Sequence, residues 1–130
     1  MILTLSASQL VALHGEIMKA FGGRAGLRDR TLLESAAARA NATFDGEDLY
    51  PDLAAKAAAL MHSLVVNHAF VDGNKRLGAA AAELVVEINA YRLRSKDSDL
   101  ENVTVTVARG GLSAEQLAIW FRQRLEPKEG

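Results

Sequence analysis

The sequence predicts an all-α domain, and three observations carry that prediction. Ala, Leu, Glu, Arg and Lys, all good helix formers, are abundant along the chain. Apolar residues return at helical spacing in successive segments, two of which open on a capping-box pattern. A strand-like alternation occurs in one segment only, with no evident partner elsewhere.

Taken in order, Ser6 with Gln9 gives the first capping box, and Leu10, Leu13, Ile17 and Phe21 follow at helical spacing. Gly22-Gly23 stops that helix. The stretch GGRAGLRD (22–29) reads as a loop, with Asp29 placed to cap a helix over TLLESAAARA. A second loop, NATFDGEDLYP (41–51), ends on a proline suited to a helix start. Leu53, Ala57, Leu60, Met61, Leu64 and Val65 then form one apolar face up to about Asn67. After a polar break, a further helix begins near Gly73 or Asn74, is lined by Leu77, Ala81, Leu84, Val85 and Ile88, and ends near Tyr91. Its GAAAAE run lets a neighbouring helix come close. ENVTVTVARGG (101–111) alternates Val with Thr, which alone reads as a strand; the helical surroundings favour a helix. Ser113 with Gln116 caps the last helix, whose apolar face is Leu117, Trp120, Phe121 and Leu125. The domain is expected over residues 1–126, with 127–130 a flexible tail.

With 130 residues the chain suits one domain with one core. Fifteen basic residues against sixteen acidic ones give a net charge of -1, which argues against strong non-specific nucleic-acid binding. Cysteine is absent, so neither a disulfide framework nor a thiolate metal site is expected. MILTLSASQL has no basic n-region and no long apolar run, and no stretch is apolar enough to span a bilayer. A cytoplasmic protein without membrane association is the expectation.

The polar break is HAFVDGNKRLG (68–78). Polar groups near a core cost stability unless they find partners. The first-turn amides of the helix that follows have no intrahelical acceptor, and with the helix dipole they suit an anion. Asn74, Lys75 and Arg76 add donors and positive charge there, where cations are unfavourable unless an anion joins them. Gly73 permits close backbone approach. Asp72 offers a hard oxygen suited to Mg2+ held with phosphates. A histidine changes protonation near neutrality, so His68 is a candidate to take a proton from a hydroxyl nucleophile. Taken singly these residues have ordinary uses: Asp72 as a cap, Lys75 and Arg76 as solvated charges, His68 as a helix end. On the residues alone a turn and an anion site both stay open.

HAFVDGNKR resembles the Fic/Doc signature, whose core is His-x-Phe-x-Asp/Glu-Gly-Asn-x-Arg, at His68, Phe70, Asp72, Gly73, Asn74 and Arg76. Lys75 stands where Fic adenylyltransferases usually carry a second Gly, and Ala79 where they carry a further Arg. Both departures point to the Doc (death-on-curing) branch. GGRAGLRD with LLESA, and DLENVTVTVARGGLSAEQLAIWFRQRL, resemble the N- and C-terminal regions of Doc-like proteins, the latter helical.

The resemblance implies a Fic fold, a compact helical bundle with the motif loop between two central helices. It implies His68 as general base, Asp72 as the Mg2+ ligand, and Gly73, Asn74, Lys75 and Arg76 as holders of the phosphates of ATP. It further implies a toxin of a type II toxin–antitoxin pair. Such a toxin transfers the γ-phosphate of ATP to a Ser or Thr hydroxyl, with elongation factor Tu the best-known target. A Phd-like antitoxin would be the partner, and DNA would be met only through it. Adenylylation, or a non-catalytic corepressor role, are the alternatives. The family's inhibitory helix has no good copy, since Thr43 to Glu47 is followed by Asp48 and contains Gly46. His14, His62, Tyr50, Trp120 and Phe121 are read as structural, Asp29 as a cap, and Arg28 as a minor candidate for contact with a target or partner.

Overall fold

A computed structural model describes residues 1–129. Six helices carry the architecture: α1 (Ala7–Phe21), α2 (Arg30–Arg39), α3 (Leu53–Asn67), α4 (Asn74–Ile88), α5 (Asp97–Ala108) and α6 (Ala114–Arg122). Four short strands, β1 (Thr43–Phe44), β2 (Glu47–Asp48), β3 (Tyr91–Leu93) and β4 (Leu125–Pro127), form two antiparallel ribbons, β1 with β2 and β3 with β4. The fold is the all-α arrangement expected.

α3 is the central element, buried along almost all of Leu53–Val65. Its alanines leave room for neighbours, and α4 and α6 make the largest packings against it. α4 comes close at Gly78, where a Cβ would lie 2.5 Å from Val65 Cγ2. Leu10, Leu33, Leu60, Leu64, Leu77, Val85, Leu117 and Phe121 complete one continuous core. Ser6, Asp29 and Ser113 cap α1, α2 and α6 as expected, and Asp52 caps α3 through a bond from Ala55 N–H at 2.8 Å. The valine-rich segment is helical: Val103 and Val107 are buried one turn apart while Val105 is exposed.

Three expectations change. α4 ends at Ile88 rather than near Tyr91, because Asn89 turns its side-chain amide back to Val85 O (2.7 Å) and clasps Leu3 O (2.9 Å) and Leu3 N–H (2.8 Å). Leu125 lies opposite Leu93 in β4 rather than on α6. Ordered backbone also runs past residue 126, since Pro127 pairs with Tyr91 and Lys128 N–H donates to Ala90 O at 2.9 Å. The loop 41–51 holds a hairpin whose turn, Asp45-Gly46, has positive φ at both residues (54° and 80°), the two-residue turn that Asp-Gly favours. Thr43 to Glu47 is thus strand and turn, not helix. Among the described residues no helix is long and apolar enough to cross a membrane.

A polar cluster joins α2 to α3. Arg39 donates to Tyr50 Oη (3.0 Å), His62 Nδ1 (3.3 Å) and Ser63 Oγ (2.9 Å). Burial, and then the Arg39 charge, hold the His62 imidazole below its ordinary value. The unfolded chain therefore binds a proton here more readily than the folded one. Stability from this site is complete above about pH 6.5 and declines as pH falls from there toward the lower folded value. Melting curves between about pH 7 and pH 5 should slope less for His62→Gln than for wild type; equal slopes would remove His62 as the cause. Asp52 acts lower, in the carboxylate range, where the bond it accepts from Arg122 (2.9 Å) holds its carboxyl below the ordinary value.

Candidate active site

The loop between α3 and α4 is built from backbone outward. His68 ends α3 in the left-handed region (φ 53°, ψ 51°), a conformation uncommon outside glycine, though His, Asn and Asp enter it more often than most, and one that concentrates at functional sites. The loop between α1 and α2 then runs alongside: Arg28 N–H and Asp29 N–H donate to Ala69 O (2.8 and 3.0 Å), and Val71 N–H donates to Gly26 O (3.0 Å). The Arg28 guanidinium closes the C-terminus of α3 by donating to the carbonyl of His68, with Nε at 3.0 Å. That contact satisfies an orphan carbonyl, so Arg28 fastens the loop while remaining exposed.

Asn74 departs from expectation. Its side chain is buried, with Oδ1 accepting from Phe70 N–H (3.1 Å) and Nδ2 donating to Phe70 O (2.9 Å). The side chain therefore clasps the loop and is not presented to a phosphate; its backbone N–H remains at the helix start. Gly73 sits at φ 80°, the left-handed region that favours glycine, and a Cβ there would press on the end of the Met18 side chain and lie 3.4 Å from His14 Nε2. Its N–H is turned back to Asp72 Oδ1 (2.9 Å). The first intrahelical bond of α4 is Leu77 N–H to Gly73 O (2.9 Å), which leaves the amides of Asn74, Lys75 and Arg76 ahead of it. No acidic residue occupies that first turn.

Asp72 is exposed, and its carboxylate accepts from Arg24 N–H (3.2 Å) and Gly73 N–H. These two amides, first Arg24 and then Gly73, hold its carboxyl below the ordinary carboxylate range, helped by the Arg24 and Arg76 charges. Gly23 is needed for this approach, because a Cβ on it would lie 2.8 Å from Asp72 Oδ2. Among the described residues no three His, Asp or Glu side chains gather into a metal cage. A single ionised hard-oxygen ligand is nevertheless what Mg2+ takes from protein when phosphates and water supply the rest. The residues present fit Mg2+ and a polyphosphate together better than a metal alone.

His68, Asp72, Lys75 and Arg76 line one cleft of about 650 Å³, whose opposite wall is Glu101, Thr104 and Val105 of α5; Ala79 lies within it. Lys75 and Arg76 are exposed, and Arg76 lies over the Phe21 ring at 4.3 Å. The structure thus brings together His68, Asp72, Lys75, Arg76 and the α4 amides, and turns the Asn74 side chain away. Glu101 and Thr104 carried no signal in the sequence, because the Val-Thr alternation of 101–111 reads on its own as a strand and points no residue at the cleft. His14 was read only as structural, and Met18 carried no signal in the sequence.

The chain belongs to the Fic/DOC family, whose profile matches residues 4–86. Two relatives agree. The protein named Toxin Doc from Mycolicibacterium smegmatis is 51% identical over 82 residues, 63% of this chain and 62% of that protein. The protein named Protein kinase doc from Escherichia phage P1 is 28% identical over 119 residues, 92% of this chain and 93% of that one. The matched stretch therefore spans less than two thirds of the first relative's length and nearly all of the second's.

Proposed function

We propose that this protein is a Doc-type toxin that transfers the γ-phosphate of ATP to a Ser or Thr hydroxyl of a target protein. The observation that carries the proposal is the convergence, in one cleft, of the exposed His68 imidazole, the ionised Asp72 carboxylate and the cationic first turn of α4. Each has a part in phosphoryl transfer, where positioning and charge stabilisation do most of the catalysis. His68 takes the hydroxyl proton as the oxygen bonds to the γ-phosphorus, the bond to the β,γ-bridging oxygen breaks, and ADP departs. The amides of Asn74, Lys75 and Arg76, with the Lys75 and Arg76 side chains, hold phosphate oxygens. Asp72 would hold Mg2+, whose charge offsets that of the phosphates.

The relatives' names, a toxin and a kinase, support this reading. So does Lys75, whose long cation fills the space that a glycine would leave open and offers a further phosphate contact. Elongation factor Tu is the target to test first, with arrest of translation and growth as the consequence. A Phd-like antitoxin laying an amphipathic helix in a surface groove would hold the toxin in check.

The deciding experiment gives purified protein, Mg2+ and an antitoxin-free extract either α- or γ-labelled ATP. Label in a target band from γ-ATP alone is the expected result, and the band's size identifies the target. Label from α-ATP would mean adenylylation. No label from either would favour a partner that acts by binding.

A further inference from the structure

We propose that His14 is a positioning residue for this loop, setting the direction of the Asp72 carboxylate and of the α4 amides; the inference rests on the phosphotransferase reading of the site. His14 is 4% exposed on α1, in a face otherwise apolar. A buried imidazole is costly unless its polar atoms are bonded. Its Nε2 lies 2.8 Å from Asp72 O. A carbonyl only accepts, so Nε2 carries the proton and the tautomer is fixed. The ring is also stacked on Phe70, with centroids 3.7 Å apart and planes at 14°.

His14 therefore grips the loop on both sides of Val71. Phe70 is itself held by Asn74, so the stack and the clasp lock the incoming loop to the outgoing helix. The bond to Asp72 O fixes the peptide joining Asp72 to Gly73. That peptide also carries the Gly73 N–H that restrains the Asp72 carboxylate. Two further residues of the same α1 face continue the contact. Met18 fills the space against Gly73, and Phe21 lies under Arg76. Positions 14, 18 and 21 stand one and two turns apart, so a single helix face meets the loop at Phe70, Asp72, Gly73 and Arg76 in turn.

Packing alone would be met as well by phenylalanine, which separates the two roles. His14→Phe keeps a ring against Phe70 and loses the donor. His14→Gln loses the ring and keeps an N–H donor of similar reach. For a positioning role, His14→Phe should lower kcat for transfer tenfold or more, and His14→Gln should recover most of it. Amide exchange over residues 72–76 should rise at least tenfold in His14→Phe only. In wild type, nitrogen-resolved imidazole spectra should show a slowly exchanging proton on His14 Nε2.

Native loop exchange together with native kcat in His14→Phe would overturn the proposal, as would an Nε2 without a proton in wild type. If wild type transfers no phosphate, the functional reading fails, while the exchange rates and the imidazole spectrum still decide whether His14 sets the loop. Should His14→Phe not fold, His14→Gln decides: native loop exchange supports the role and a tenfold rise overturns it.

Discussion

Replacing His68 is expected to lower phosphate transfer by about 10²–10⁴-fold, the usual range for loss of a general base. His68 is the left-handed C-cap of α3, at φ 53°. It already bears the Cβ penalty of that conformation, roughly 1–2 kcal/mol, so His68→Ala changes the backbone cost little and chiefly removes the imidazole. Asparagine visits the left-handed region readily, and His68→Asn keeps the cap while removing the base. Both variants should lose transfer to a similar degree, and His68→Asn should melt close to wild type. Their growth inhibition should fall in parallel. Normal transfer by either variant would sink the assignment of His68. Loss of transfer with undiminished toxicity would separate the phosphate chemistry from the growth arrest and favour a binding mechanism.

The helices were legible because their signals are local. Ser6 with Gln9, Asp29 and Ser113 with Gln116 announce starts within a few residues of where they act, and the caps form as read. The candidate site drew notice because cations at a helix start, beside Asp72 and His68, conflict with ordinary helix chemistry unless an anion joins them, though the residues alone left a plain turn open as well. What escaped depends on partners distant in the chain. β4 pairs with β3 some thirty residues away, and Leu125, four residues after Phe121, fits the helical spacing equally well. The inward turn of Asn74 follows from its bonds to Phe70, which no spacing rule separates from an outward one. A lone histidine on an apolar face looks the same whether it bonds the loop or fills a gap; only the 2.8 Å contact of His14 with Asp72 O distinguishes them.

Lys56 makes the same point for stability and yields the largest expected effect on folding. Within LAAKAAAL it is 5% exposed, and its ammonium donates to Asp48 Oδ1 (3.1 Å), Asp48 Oδ2 (3.0 Å) and Ala40 O (2.9 Å). It thereby ties the β1–β2 hairpin and the end of α2 to the central helix. Removing the two partners should not cost the same. Asp48→Ala strands a buried ammonium with one carbonyl; about 3 kcal/mol is expected, at the low end for a broken buried pair because the Asp48 side chain is 43% exposed. Lys56→Met removes the buried charge, keeps the apolar stem and leaves Asp48 to water. Its cost should be nearer 1–2 kcal/mol, from the Ala40 carbonyl left without its donor. Urea unfolding of the two variants measures the difference directly. If Lys56→Met were the more damaging by 1 kcal/mol or more, burial of an unpaired charge would not govern this site, and the ion pair itself would be the stabilising element.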